Sequence, residues 1–301
     1  MLQSVLQRSF EAAARSYHHA AVLARETGAR MDERLSLTKI QPRRIVDLGC
    51  ATGDGIRALQ RRYPSAQAIA IDYAIPMLQS VRSRSGSFAR LTRRGPQLLC
   101  ADAHALPLAE QSTGLVWSNL MLQWFDDPSV AFREMHRVLE VGGLLMFTAL
   151  GPDTLKELRN AAGRAAGGRD NLDGTTGGMT DSSRTTASGI RNFVDMHDLG
   201  DMLLAAGFAD PVMDMEMVTM TYSRRSKFLA DQRHLGVRNA LLGSRSWQDW
   251  RKVFDAWSRD SADRLPITFE IIYGHAWKPA ARSPIGETSV IRFHRRGATR
   301  A

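Results

Sequence analysis

The stretch Ile45-Val-Asp-Leu-Gly-Cys-Ala-Thr-Gly-Asp54 constrains this chain more than any other. Ile45 and Val46 are β-branched and read as the end of a buried strand. Asp47 closes that strand, Gly49 and Gly53 bracket a sharp turn, and a helical pattern opens at about Asp54. Glycines in such a turn bring bare backbone close to a ligand that a Cβ would push away. Asp72 follows 19 residues after Gly53, at the end of a second apolar strand, Ala68-Ile-Ala-Ile71. In a strand–turn–helix–strand unit, an acid at that point is placed to accept hydrogen bonds from ribose hydroxyls. The reading is an α/β chain that binds a nucleoside-containing cofactor.

The turn also selects among such cofactors. It reads Gly49-x-Ala51-x-Gly53 and does not meet the dinucleotide pattern Gly-x-Gly-x-x-Gly. A dinucleotide site holds pyrophosphate at the helix N-terminus. Asp47, just before the turn, would repel that anion. S-adenosylmethionine (SAM) has no phosphate and carries an ammonium and a sulfonium, so the same acid favours it over NAD.

Three later segments fit the alternation. Leu99-Cys-Ala-Asp102-Ala-His-Ala-Leu-Pro107 reads as a third strand end and its loop, where Asp102 can accept from an adenine amino group and Ala103 can offer backbone. Gly114–Asn119 reads as a fourth strand ending in polar residues. Val138–Phe147 reads as a helix end, a Gly142-Gly143 break and a fifth strand.

Around this core the chain divides into three parts. Residues 1–35 read as a helical arm, 36–278 as the cofactor-binding domain and 279–301 as a basic tail. Within the domain, 167–189 is rich in Gly, Ser, Thr and Asp and reads as a flexible insert. Helices are expected from Pro152 to about Ala165, over Met196–Ala206, Ser226–Leu242 and Trp247–Trp257; strands are expected over Val212–Tyr222 and Ile267–Trp277.

Composition bounds the setting. The 301 residues carry a formal net charge of +9, which favours an acidic partner. Basic clusters lie at 82–94, at Arg224-Arg225 with Lys227, and at 292–296. No RNA-binding signature accompanies them, so nucleic acid is not expected. No apolar run is long enough to span a bilayer, and the N-terminus lacks a secretory apolar core, so no membrane role and a cytoplasmic location are expected. Cys50 and Cys100 sit at expected strand ends and suggest a reducing compartment rather than a disulfide framework. His18 and His19 are adjacent and cannot share a helical face, so no metal site is expected.

Several segments together carry a family likeness. These are Phe10…Ala14…Tyr17, Trp117-Ser-Asn-Leu-Met-Leu-Gln-Trp124, Gly151-Pro-Asp-Thr-Leu-Lys-Glu-Leu-Arg159 and Phe193–Gly200, with His234–Asn239 and Tyr273-Gly-His-Ala-Trp-Lys278 downstream. The core resembles class I SAM-dependent methyltransferases. More narrowly, the chain resembles the malonyl-carrier-protein O-methyltransferases of biotin synthesis, the BioC type, nearly end to end. The resemblance implies a Rossmann-like, seven-stranded, mostly parallel sheet with helices on both faces, an antiparallel last strand, an N-terminal helical arm and a helical insertion before that strand. It implies methyl transfer from SAM to the free carboxylate of a malonyl thioester, carried on an acidic acyl-carrier protein. The methyl ester then primes pimeloyl assembly. Ala51 departs from the family's usual middle glycine, and a modest reshaping of the turn is expected.

The same likeness distributes the site residues. Asp47 and Gly49 would face the methionine part, with Ala51 and Gly53 in the same loop. Asp72 would face the ribose, with Met77 beyond it, and Asp102 and Ala103 the adenine. Asn119 and Leu120 would lie beside the sulfonium. Tyr17 on a closing arm, Trp124 and Arg238 are the candidates for substrate and catalysis, with Gln123 and His197 as further candidates for the acceptor side. Two alternatives share the core. One is another small-molecule or protein methyltransferase. The other is a SAM-binding assembly factor or hydroxylase of the complex I type, which has similar Asp-Thr-Leu-x-Glu-Leu-Arg and Gly-x-x-Trp-Lys stretches. Tyr17, in its Ser-Tyr context, favours the malonyl methyltransferase.

Overall fold

A computed structural model describes residues 2–84, 95–166, 189–243 and 245–280. The expected flexible insert and basic tail, like most of the cluster at 82–94, lie almost wholly outside the described residues.

Seven strands form one sheet in the order β3-β2-β1-β4-β5-β7-β6. They are β1 (Arg44–Leu48), β2 (Gln67–Asp72), β3 (Gln97–Cys100), β4 (Thr113–Asn119), β5 (Leu139–Leu150), β6 (Ala209–Tyr222) and β7 (Leu265–Trp277). The pairs from β3 across to β5 are parallel, and β7 runs antiparallel to both its neighbours. Strand order reverses at β1, which lies between β2 and β4. In open α/β sheets the ligand crevice forms outside the carboxyl ends of the strands at such a reversal.

Period-two alternation divides the central strands between two cores. Ile45, Leu115, Leu144 and Met146 face one, where Ile56 and Leu59 of α3 (Asp54–Arg62) also pack. Val46, Val116, Leu145 and Phe147 face the other, with Phe132 and Met135 of α5 (Pro128–Val138). Helix α4 (Ile75–Arg84) packs beside α3, and α7 (Met196–Ala205) beside α5. The helix α5 starts where its sequence says it should: the Asp127 side chain accepts from Ser129 N and Pro128 occupies the first turn.

Several boundaries differ from expectation for local reasons. The arm is two helices, α1 (Leu2–Ala20) and α2 (Val22–Leu35), broken at the buried Ala21. The Gly142-Gly143 pair is no break, since β5 runs through it as one strand from Leu139. Helix α6 (Lys156–Ala165) starts later than expected, because Leu155 takes a left-handed φ of 62° and ends the turn before it. The expected helix at 226–242 is two, α8 (Arg225–His234) and α9 (Arg238–Leu242), separated by Gly236 at φ 75°. A Cβ at Gly236 would lie 2.7 Å from Ser9 O, so this break is where α1 crosses closely. Helix α10 (Trp247–Asp255) completes the insertion before β7.

Candidate active site

One cavity lies over the carboxyl ends of the strands. Its floor is Leu48, Gly49 and Ala51 after β1, Asp72 at the end of β2, Asp102 and Ala103 after β3, and Asn119 and Leu120 at the end of β4. The loop after β1 is held open by three left-handed residues, Gly49 (φ 75°), Ala51 (φ 44°) and Gly53 (φ 82°). At Gly49 the restriction is also steric: a Cβ would come within 2.8 Å of the Met121 side chain. An alanine at left-handed φ is strained by about 1–2 kcal/mol. Here the Ala51 amide donates to Asp72 Oδ2 at 2.9 Å, which fixes the turn in that shape.

Asp72 is the polar centre of this end. Its Oδ2 takes the Ala51 amide and its Oδ1 takes the Ala74 amide at 2.9 Å. Each carboxylate oxygen has a second lone pair, so accepting capacity remains toward the cavity. Burial pushes the carboxyl up to about 6 against these stabilising hydrogen bonds. Asp102 is more exposed; it accepts from the amide of His104 at 2.9 Å and sits 2.8 Å from His104 Nδ1.

The arm supplies a wall of the cavity. Phe10, Tyr17, Ala21 and Ala24 line it from α1 and α2. Phe10 is the hub, in edge-to-face contact with Tyr17, Tyr73 and Trp124 at centroid distances of 6.5, 6.3 and 5.9 Å. Each such contact is worth about 0.5–1.5 kcal/mol beyond its area. Gln7 Nε2 donates to Tyr73 O at 3.0 Å, and Ser16 Oγ donates to His234 O at 3.0 Å. The arm thus touches both the cofactor loop and α8. Asn119 ties α2 to the sheet: its Nδ2 donates to Ala24 O at 2.7 Å, and its Oδ1 accepts from Thr27 Oγ1 at 2.9 Å and Thr148 Oγ1 at 2.6 Å.

Beyond Trp124 the cavity continues between the arm, β6 and the helical insertion, where Tyr222, Asp231, Gln232, Leu235, Val237 and Leu241 line it. Arg191, only 5% exposed, braces the lip. Its Nε donates to Gln123 O at 3.0 Å and its Nη2 to Phe125 O at 3.3 Å, with Asp126 Oδ1 at 3.4 Å.

Comparison with known proteins decides the family. A family profile described as a methyltransferase domain matches residues 46–147. The malonyl-[acyl-carrier protein] O-methyltransferase of Laribacter hongkongensis is 44% identical over 290 residues, covering 93% of this chain and 91% of its own. That of Gallionella capsiferriformans is 44% identical over 93% of this chain and 92% of its own. The chain belongs to this family. Among solved structures, the phosphoethanolamine N-methyltransferase 2 of Haemonchus contortus, in complex with S-adenosylhomocysteine, superposes with a TM-score of 0.53 at 17% identity, over 93% of this chain and 60% of its own. The YcgJ protein of Bacillus subtilis gives 0.51 at 17% identity, over 88% of this chain and all of its own. Both likenesses show the fold. The family's members are SAM-dependent methyltransferases, and this chain is one.

The floor of the cavity fits that cofactor. Gly49 and Ala51 bring backbone to the cavity floor, Asp72 offers free lone pairs to hydroxyls, and Asp102 offers a second acceptor. Most residues singled out from the sequence line the cavity: Tyr17, Gly49, Ala51, Asp72, Met77, Asp102, Ala103, Asn119, Leu120, Gln123 and Trp124.

Four do not. Asp47 points away from the cavity, because alternation along β1 turns it to the α3 face with Ile45. It is 2% exposed, accepts the Ile56 amide, and is pushed by burial up to about 7. Its Oδ2 and the indole Nε1 of Trp117, its partner in β4, have no hydrogen-bond partner among the described residues. Gly53 caps α3 with Val81 and Arg57 against it and is not in the cavity wall. Arg238 is turned aside, because α9 and its N-cap present Leu241 and Val237, four residues apart, to the cavity. His197 is a surface residue beside the cap of α7, its side chain 84% exposed and 2.8 Å from Asp195 Oδ1.

Sequence reasoning missed Phe10 as a site residue, though Phe10, Ala14, Tyr17 and Ala21 recur at helical spacing on one face. It also missed Asp231, Gln232 and Arg191, for which the sequence carries no local signal.

Proposed function

We propose that the chain methylates the free carboxylate of a malonyl thioester borne on an acyl-carrier protein, the activity its relatives' names state. The observation that carries the reading is the continuity of one cavity. A cofactor floor of strand ends meets an apolar acceptor end at Tyr17, Leu120 and Trp124. SAM, when bound, supplies an electrophilic methyl group on a sulfonium.

The residues have positioning work rather than proton transfer to do. A malonyl carboxylate is ionised at neutral pH, so no general base is needed. Asp72 and the backbone of Gly49 and Ala51 hold the cofactor, and Asp102 and Ala103 receive its base. Phe10, Tyr17 and Trp124 close the junction and exclude water, so the carboxylate loses competing hydration and is held in line for attack. Tyr17 keeps its proton, since burial first and then Asp72 hold its pKa well above the usual value. It therefore serves as a neutral hydrogen-bond donor at the junction.

The net charge of +9 suits an acidic carrier. The resulting ester hides a charge, so the acyl chain can be extended as an ordinary one toward pimelate. Mass spectrometry of malonyl carrier protein incubated with enzyme and SAM tests the reading. A gain of one methyl on the malonyl group is expected; an unchanged mass, with SAM bound, would send the search to other carboxylate acceptors.

A further inference from the structure

The acceptor end of the cavity contains two hydrogen-bond acceptors that a carboxylate substrate cannot use. Gln123 is 6% exposed, and its Nε2 donates to Leu120 O at 2.6 Å. A carbonyl needs a donor, so this bond fixes which way the amide is turned and leaves Oε1 as the remaining group. Gln123 Oε1 is buried and has no hydrogen-bond partner among the described residues. The backbone of Gln123 is pinned by Arg191, so the side chain cannot easily swing out to water.

Asp231, on α8, is the second acceptor. It lines the same cavity and is oriented by the buried phenol of Tyr222, which donates to it. A malonyl carboxylate is itself an acceptor and an anion, so neither group can hold it. Both are suited to an N–H. Leu235, Val237 and Leu241 line the same stretch and suit methylene segments.

We propose that Gln123 Oε1 and Asp231 accept hydrogen bonds from the secondary amides of the extended thiol arm on which the malonyl group is carried, making the acceptor end a channel for that arm. This rests on the malonyl-thioester reading above. The two residues then select for how the acid is presented, while the junction at Tyr17 selects for the acid itself. Neither contacts the reacting atoms, so their effect falls on KM.

Three malonyl thioesters test this: the pantetheine ester with two amides, the N-acetylcysteamine ester with one, and the ethyl thioester with none. The variants are Gln123→Met, which keeps length and removes the acceptor, and Asp231→Ala. Each is expected to raise KM for the pantetheine ester by about tenfold, in line with one hydrogen bond lost. For each variant the loss should fall away at the step that removes the amide it holds, and be at least about fivefold smaller for the ethyl thioester. Calorimetric affinity for S-adenosylhomocysteine should stay within about twofold. Equal losses on all three esters, or a parallel loss of S-adenosylhomocysteine affinity, would overturn the channel and leave the malonyl reading standing. A wild-type enzyme that methylates none of the three, nor malonyl carrier protein, would overturn both. Should Gln123→Met fail to fold, the partly buried Asp231 decides alone.

Discussion

The two ends of the cavity are built by different means. The cofactor end is backbone: strand termini, three left-handed residues and one acid whose two oxygens each take an amide. The acceptor end is side chains from distant elements, namely the arm, the lip after β4 and the insertion before β7. A floor made of backbone is written locally in the sequence and tolerates little change. A wall made of remote side chains is free to vary, and it is where a common fold acquires a particular substrate. The arm joins the two, through Gln7 to the cofactor loop and Ser16 to α8.

The comparison is tested most severely at Arg191, the brace of the acceptor lip. Its guanidinium is buried and meets two carbonyls as well as Asp126. Arg191→Ala strips donors from two buried carbonyls, which costs about 1–3 kcal/mol for each acceptor left unpaired, while Asp126 is exposed and returns to water. Chemical denaturation should show a loss of that order, and the remaining folded protein should bind SAM within a few-fold of wild type. A large loss of SAM affinity without loss of stability would show that the two ends are not separately built.

Asp47 and Asp72 lie on neighbouring strands and divide the same way, one under α3 and one in the cavity. Asp47 is raised to about 7 by burial, so its charged form is the unfavourable one in the folded state. An acid raised on folding stabilises fully below its unfolded pKa of about 4, and that stability is lost as pH rises through its folded pKa. Asp47→Asn keeps an acceptor for the Ile56 amide and abolishes the titration. The variant should therefore gain about 4 kcal/mol on wild type between about pH 4 and 7, and keep that gain above pH 7. Asp72 titrates in both proteins, and its charge adds to the rise at Asp47 in the wild type. A pH-independent gap would mean that Asp47 is not a buried titrating acid.

At Asp72 the effect should fall on binding. Asp72→Ala is expected to weaken SAM by about 1.5–3 kcal/mol, the range for hydrogen bonds to a charged group. It also releases the amides of Ala51 and Ala74, so the melting temperature should fall slightly. Unchanged calorimetric affinity would remove Asp72 from the ribose.

What was legible in the sequence follows the same division. The strand–turn–helix at 45–54, Asp72 and the end of β4 were placed correctly, because period-two runs and glycine turns are local signals. The seven-stranded sheet with an antiparallel last strand came from the family likeness and is what the structure shows. Asp47 misled because a motif gives the position of a residue and not its face; counting alternation from Ile45 would have turned it toward α3. Arg238 misled because charge suggested a carboxylate partner, whereas α9 and its N-cap show the cavity Leu241 and Val237. Asp231 and Arg191 could not be found, since nothing in their neighbours says that a strand end some 70–110 residues earlier will lie beside them. The break at Gly236 was readable only as a glycine; its cause is the approach of Ser9 from the far end of the chain.

The last effect is expected at the junction, where the two ends meet. Tyr17 stands on the arm between Phe10 and the acid Asp72, and its phenol stays protonated across the working range. Tyr17→Phe keeps the ring and its edge-to-face contact, so the arm should stay packed and SAM affinity should change by less than about twofold. Removing the hydroxyl takes one donor from an ionised carboxylate, about 1.5–3 kcal/mol at most, or up to roughly a 10- to 150-fold loss. That loss should appear in kcat/KM for every malonyl thioester alike, with or without amides. In this it differs from Gln123→Met, whose loss depends on the arm. A loss confined to amide-bearing substrates would move Tyr17 into the arm channel, and matched losses of SAM affinity and melting temperature would make its hydroxyl a packing group of the arm.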